Sequence, residues 1–267
     1  MGRAAAVESP GARGDDAWTA PSRRASLRER RASSRRHRPT DRMTRADHAA
    51  FAAALSPFAD LAAALAPHLP ECRDGSHDLA HLVRVWRNLR RIREREGGDP
   101  EILAAACLLH DCVAVEKDAP DRADASRRAA ARASALLATR GWPAPRIGAV
   151  AHAVEAHSFS AGIPPATIEA MILQDADRLD ALGAVGVARC FYVAGRIGSA
   201  LYDSADPDAR RRPRDDRRFA LDHFETKLLR LATGFQTATG RSMAAARHAE
   251  IARFLAAFRA EIGVAGA

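Results

Sequence analysis

The sequence predicts an all-α protein with a disordered, basic N-terminal tail, and three observations predict it. Apolar residues recur at intervals of three and four through most of the chain after residue 43. Capping and helix-breaking residues divide these periodic stretches into lengths typical of helices. No segment combines strand alternation with turn signals. Since 47% of the residues are hydrophobic and 28% are charged, the chain as a whole is globular rather than disordered. We therefore expect residues 44–267 to form a single helical domain.

Residues 1–43 differ from the rest of the chain in composition. They hold eleven arginines against five acidic residues, so most of the net charge of +8 lies there. Clusters of Arg, Ser, Gly and Pro without a helical period predict disorder. Three interpretations are open: a nucleic-acid-binding arm, a targeting peptide, or a stretch without function that precedes a start at Met43. The last is favoured, because translation of a G+C-rich upstream region would give such a composition.

The first two helices follow from their apolar stripes. A helix is predicted over 48–66, with a stripe formed by Phe51, Leu55, Phe58, Leu61 and Leu65. A second is predicted from Asp78 to about Glu96, and the glycine pair at 97–98 ends it. Its stripe is formed by Leu82, Val85, Leu89 and Ile92.

The third helix is predicted to lie at the centre of the protein. Asp99 and Pro100 provide an N-cap and a first-turn proline. The residues that follow are apolar nearly all round the helix, which is typical of complete burial, and the helix ends in His110 and Asp111. Further helices are predicted at about 122–139, 144–157, 165–173, 176–200, 216–233 and 242–262, with a loop at 203–215.

Several classes of protein are excluded. No apolar run approaches the roughly 18–20 residues that span a bilayer, and the N-terminus lacks the apolar core of a secretion signal. The four cysteines are widely spaced and no second pair completes a zinc site, so we expect reduced thiols and a cytoplasmic protein.

Four short segments place imidazoles and carboxylates beside apolar sequence. They are centred on His77 to His81, on His110-Asp111, on His152 to Ser158 and on Asp175 to Asp180. Taken singly, each residue could be a helix cap, a packed histidine or part of a solvated face. Taken together, they form the mixed nitrogen and oxygen ligand set that suits Mn, Fe, Ni, Co or Zn. Three or four helices could present them to one point.

The order of these residues resembles a known family. His81, then His110-Asp111, then Asp177 resemble the H…HD…D signature of the HD-domain metal-dependent phosphohydrolases. Longer motifs at 77–85, 109–126, 156–160, 174–183 and 222–228 are similar to a bacterial subgroup that resembles HD-domain nucleoside triphosphate pyrophosphohydrolases. The resemblance covers about residues 45–263. It implies an HD-domain helical bundle, a divalent metal ion and hydrolysis of phosphate esters or anhydrides.

The resemblance also implies a set of metal ligands, which are His81, His110, Asp111 and Asp177. Asp177 is chosen over its neighbours Asp175 and Asp180 because it occupies the Ala-Asp-Arg-Leu position of the family motif. One divalent ion is expected, with Mn favoured over Ni, Co, Fe, Mg or Zn. A second ion is not expected, because two further histidines, His152 and His157, would be about 140° apart on a straight helix.

Other residues are assigned roles around that ion. His77 is the candidate for proton transfer, Lys117 and Arg122 for binding phosphates, and Asp180 for binding substrate or supporting a metal ligand.

The expected activity is that of a nucleotide pyrophosphohydrolase. The alternatives are a phosphomonoesterase that acts on nucleotides or small phosphoesters, and a non-catalytic nucleotide-binding protein. The expected partner is a nucleotide or small phosphorylated substrate, without membrane or nucleic acid, and the protein is expected to be a monomer or homodimer.

Overall fold

The computed structural model of the protein describes residues 45–70, 78–113, 124–158 and 161–264. These residues form helices and loops without a β-strand, which confirms the predicted all-α fold. In chain order the helices are α1 (Arg45–Ala54), α2 (Ala59–Leu65), a 3₁₀ turn (Ala66–His68), α3 (Leu79–Glu96), α4 (Pro100–Leu109), α5 (Ala125–Ala138), α6 (Ala144–Ala156), α7 (Ile168–Leu179), α8 (Gly183–Ile197), α9 (Ala220–His223), a π-helical segment (Phe224–Leu228), α10 (Leu229–Leu231) and α11 (Ala238–Glu261). The predicted tail, residues 1–43, lies outside the described residues. No helix among the described residues is long and apolar enough to cross a membrane.

Helix α4 lies at the centre of the core, as its composition predicts. All eight residues of 102–109 are buried, and α3, α6 and α7 pack around the helix. The carboxylate of Asp99 accepts hydrogen bonds from the backbone amides of Glu101 and Ile102, at 2.9 and 3.1 Å, so the N-terminus of this buried helix is capped. Because α4 is both buried and capped, its position in the core is fixed. His110 and Asp111, which follow its last residue, are therefore held in place as well.

Helices α3 and α7 pack against each other, and α11 contacts both of them. Asn88 of α3 is buried and donates a hydrogen bond to the carbonyl of Ala176 in α7, at 3.0 Å. A buried side-chain amide that pairs with a backbone carbonyl fixes how the two helices sit against each other. This contact matters for the site, because His81 lies on α3 and Asp177 on α7.

Two predicted helix boundaries are wrong. The helix predicted over 48–66 is divided around Pro57, because proline has no N–H to donate within a helix and its ring clashes with the preceding turn. The break predicted between 173 and 176 does not exist, since α7 runs through this segment. The chain turns instead just before α8, at Gly183, whose φ is +70°.

Asp175 lies within α7 rather than at a helix start, and its side chain holds the N-cap segment of another helix, α11. Its buried carboxylate accepts hydrogen bonds from the backbone amides of Gln236 and Thr237 and from the Thr237 hydroxyl, each at 2.8 Å. Thr237 is the N-cap of α11. A Cβ at Gly240 would lie 2.2 Å from the Asp175 carboxylate, so a larger residue does not fit there. We call this contact the Asp175 clamp.

The predicted loop between α8 and α9 is present. Arg212 forms ion pairs with Asp222 at 2.6 Å and with Asp203 at 3.0 Å, and its side chain is mostly buried. The loop is therefore held against the start of α9 by charge-assisted hydrogen bonds.

Candidate metal centre

His81 lies in the first turn of α3, where the chain has just entered the core. The Asp78 carboxylate caps the helix by accepting a hydrogen bond from the His81 amide at 3.0 Å. The His81 side chain is buried. Its Nδ1 lies 2.7 Å from Oδ2 of Asp180, so the other ring nitrogen, Nε2, faces away from Asp180.

His110 and Asp111 follow directly on α4. The His110 ring is buried, and its Nδ1 donates a hydrogen bond to the carbonyl of Cys107 at 2.8 Å. The Asp111 side chain is 39% exposed. The end of the buried helix therefore presents an imidazole inside the protein and a carboxylate at its surface.

Asp177 completes a group with the two histidines. Its Oδ1 lies 3.5 Å from Nε2 of His81 and 3.9 Å from Nε2 of His110, and the two Nε2 atoms are 3.4 Å apart. Asp111 lies on the other side of His110, with its Oδ2 3.6 Å from His110 Nε2, so the four predicted ligands are gathered around His110 in two overlapping groups.

His157 lies beside His110 and Asp111; it is one of the two further histidines considered for a second ion, but it was not predicted to be a metal ligand. It follows α6, is buried, and donates from Nδ1 to the carbonyl of Val154 at 2.6 Å. Its Nε2 lies 3.6 Å from Oδ1 of Asp111, so His110, Asp111 and His157 form a second group able to hold a metal ion. The sequence does carry a signal for this ligand, because His157 directly follows a helix with a buried apolar face, as His110 does. The other candidate, His152, instead accepts a hydrogen bond from the Ala166 amide.

The three imidazoles share one hydrogen-bonding pattern. Each Nδ1 faces an acceptor, which is a carboxylate for His81 and a backbone carbonyl for His110 and His157. A carbonyl can only accept, so Nδ1 carries the proton in these pairs and Nε2 keeps a lone pair. This arrangement is the one that metal-binding histidines show in proteins.

The charges at the site favour a cation. Burial lowers the pKa of His110, which keeps its ring neutral and able to act as a ligand. Burial would raise the pKa of Asp111, but the neighbouring His110 and His157 hold it well below the usual range. Imidazole nitrogens and carboxylate oxygens in two overlapping groups fit a divalent transition metal such as Mn, Fe, Co, Ni or Zn.

Asp180 is buried beside His81. Its side chain is 1% exposed, and its carboxylate contacts His81 Nδ1, Arg84 Nε and Arg189 Nη1, each at 2.7 Å. Burial opposes ionisation, but the hydrogen bonds from His81 and Arg84 hold the pKa of Asp180 below its usual range. Both roles predicted for Asp180 stay predictions, and its hydrogen bond with His81 Nδ1 favours the one in which Asp180 supports a metal ligand.

Three predicted residues, His77, Lys117 and Arg122, lie outside the described residues. Their roles stay predictions.

Comparison with known proteins gives the family. A family model described as HD domain matches residues 78–182, a range that includes His81, His110, Asp111 and Asp177. Among curated proteins, the uncharacterised YpgQ of Bacillus subtilis is 34% identical over 183 residues, which cover 67% of this chain and 81% of YpgQ.

Solved structures agree with this match. An HD-superfamily hydrolase from Bacillus thuringiensis has a TM-score of 0.54 and 32% identity, covering 69% of this chain and 86% of its own. The structure of B. subtilis YpgQ in complex with ADP has a TM-score of 0.56 and 32% identity, covering 71% and 89%. With its helices, its cluster of histidines and aspartates and these relatives, the chain belongs to the HD-domain superfamily of metal-dependent phosphohydrolases.

Proposed function

We propose that the protein is a nucleotide pyrophosphohydrolase, which uses water to cleave nucleoside triphosphates into nucleoside monophosphates and pyrophosphate. The observation that carries the proposal is the pair of potential metal-binding groups that share His110, one completed by His81 and Asp177 and the other by Asp111 and His157, with Asp111 and Asp177 partly open to solvent. A nucleotide is favoured as the substrate because the relative YpgQ has been crystallised with ADP. The longer motifs shared with pyrophosphohydrolases favour triphosphates over monoesters.

We propose His81, His110, Asp111 and Asp177 as ligands of one divalent ion, with Mn favoured, and His157 as an additional donor. Such an ion supplies a water of lowered pKa and neutralises charge on the phosphates. The protein groups supply orientation. Asp180 and the backbone carbonyls of Cys107 and Val154 hold the three rings through Nδ1, so that every Nε2 is turned toward other potential ligands. His77 is proposed to transfer a proton.

The reaction products test this proposal. The Mn-loaded protein should convert a nucleoside triphosphate into equal amounts of monophosphate and pyrophosphate, measured by ³¹P NMR and chromatography. Asp111→Asn should abolish the reaction, whereas Asp60→Asn, at an exposed position on α2, should leave it unchanged. Orthophosphate as the main product would support the phosphomonoesterase alternative and overturn the pyrophosphohydrolase.

Lys117 and Arg122 are proposed to bind the substrate phosphates. A triphosphate carries up to about four negative charges, more than one divalent ion neutralises, so positive side chains must contribute. Lys117→Ala and Arg122→Ala should keep full metal content but lower kcat/KM for a triphosphate by roughly one to three decades, as expected for losing a contact of about 1.5–4 kcal/mol. Arg253→Ala is the control, since this side chain is 70% exposed on α11. Unchanged kinetics in both the Lys117→Ala and the Arg122→Ala variant would place the phosphate contacts elsewhere.

A further inference from the structure

A cavity lies beside Asp180, and His81 is not among the residues that line it. Its volume is about 200 Å³. Among the residues that line it are Arg84, Arg87, Asn88 and Arg91 of α3, Asp180, and Arg247 of α11. We call it the arginine pocket. The metal centre uses none of its four arginines as a ligand.

The pocket carries excess positive charge. Its one carboxylate, Asp180, already pairs with Arg84 and Arg189. Among the described residues, no carboxylate oxygen lies within 4.0 Å of the guanidinium groups of Arg87, Arg91 or Arg247. Like charges gathered in a concave surface repel one another and attract an anion.

Arg247 is held in place in spite of this repulsion. Its Nη2 donates to Oδ1 of the buried Asn88 at 2.7 Å, and its Nη1 donates to the carbonyl of Leu179. Burial lowers the pKa of Arg247, and the nearby charge of Arg91 lowers it further, while Asp180 acts in the opposite direction. Two of the five N–H groups of Arg247 fix the guanidinium, so the others are available to a ligand. Because the side chain is already ordered, binding a ligand costs little further side-chain entropy.

The spacing and volume of the pocket select the size of the anion. Arg84 donates to Asp180 through two of its nitrogens, so Arg87 and Arg91 are the arginines of α3 that remain for a ligand. They are four residues apart, on successive turns about 6 Å apart along the axis. Two linked phosphates can contact both turns at once, whereas a single phosphate offers fewer oxygens over a shorter length. Cavities that hold drug-sized ligands measure about 300–1,000 Å³, so this one is too small to enclose a whole nucleotide.

We propose that the arginine pocket is a binding site for a diphosphate group, separate from the metal centre, and that inorganic pyrophosphate fills it. Arg91 lies ten residues beyond His81 on α3, about 15 Å along the helix, so one pyrophosphate cannot occupy both places. The proposal concerns binding and does not depend on the hydrolytic activity proposed above.

Calorimetric titration of the metal-loaded, desalted, full-length protein with inorganic pyrophosphate tests the site. Arg87→Ala/Arg91→Ala should weaken one binding event at least tenfold, because two charge-assisted contacts are lost. Binding at the metal centre should persist in this variant. Arg90→Ala/Arg95→Ala is the matched control, since it removes two exposed arginines from the same helix and should leave every event unchanged.

Two further titrants define the ligand. Orthophosphate should bind the pocket at least tenfold more weakly than pyrophosphate, and ADP should bind through its diphosphate with the same dependence on Arg87 and Arg91. Pyrophosphate binding that is identical in wild type and the Arg87→Ala/Arg91→Ala variant would overturn the site. Equal weakening in the control would overturn it too, by showing a general effect of charge. Loss of single-stranded DNA binding in place of pyrophosphate binding would assign the pocket to nucleic acid and overturn the proposal.

Discussion

Replacement of His110 by alanine should remove the bound metal ion and lower the rate of hydrolysis by at least about a thousandfold, since the activated water and the charge neutralisation are lost together. His110 belongs to both groups of potential ligands. Its Nε2 lies 3.4 Å from Nε2 of His81, 3.6 Å from Oδ2 of Asp111 and 3.9 Å from Oδ1 of Asp177. Loss of this ring leaves the remaining donors divided on its two sides, so no substitute ligand is available among them.

The measurement is metal content by mass spectrometry, together with the rate of hydrolysis. His152→Ala is the control, because His152 faces the Ala166 amide and should not affect metal content. His157→Ala should give an intermediate result, with metal affinity weakened by about 10- to 100-fold. Full metal content in His110→Ala, or wild-type activity that survives exhaustive chelation, would refute the metal centre.

The three aspartates of the 175–180 segment should respond in three different ways when each is replaced by alanine. Asp177→Ala should lose the metal and keep the fold, because the carboxylate is partly exposed and Oδ1 faces the two histidines. Asp175→Ala should keep the metal but lower Tm by about 5 °C or more, since it leaves buried donors of Gln236 and Thr237 unpaired at a cost of about 1–3 kcal/mol.

Asp180→Ala should lie between these extremes. It leaves His81 in place but without the acceptor that orients it, so metal affinity should fall by about 10- to 100-fold. Metal titration and thermal unfolding of the three variants distinguish a metal ligand (Asp177), the Asp175 clamp and a residue that positions His81 (Asp180). Equal metal content in all three variants would show that the family motif is aligned wrongly on this segment.

The sequence predicts best those features that depend on neighbouring residues. The N-cap at Asp99 and the apolar run after it are local, and they suffice to place α4, its burial and the His-Asp pair at its end. Periodicity does not locate Pro57 as a break, because the apolar stripe continues in phase on both sides of it.

Contacts between distant helices account for what the sequence does not predict. A cluster of aspartates at 175–180 suggests a helix start, yet Asp175 caps α11, more than sixty residues later in the chain. In the same way, His157 and Asp111 meet only because α6 packs beside α4. The five-residue spacing of His152 and His157 does not predict the angle between their side chains, because His157 lies beyond the end of the helix.

The Asp175 clamp has a consequence for where this domain can be divided. The family model ends at residue 182, but the carboxylate two residues before Asp177 depends on backbone amides at 236 and 237. A fragment trimmed to the matched segment would contain all five candidate metal ligands and still lack the partner that covers Asp175, leaving a buried anion without its donors. The edge of the family-model match is therefore not an edge of the cooperative unit, and swapping this segment between relatives would require exchanging α11 with it.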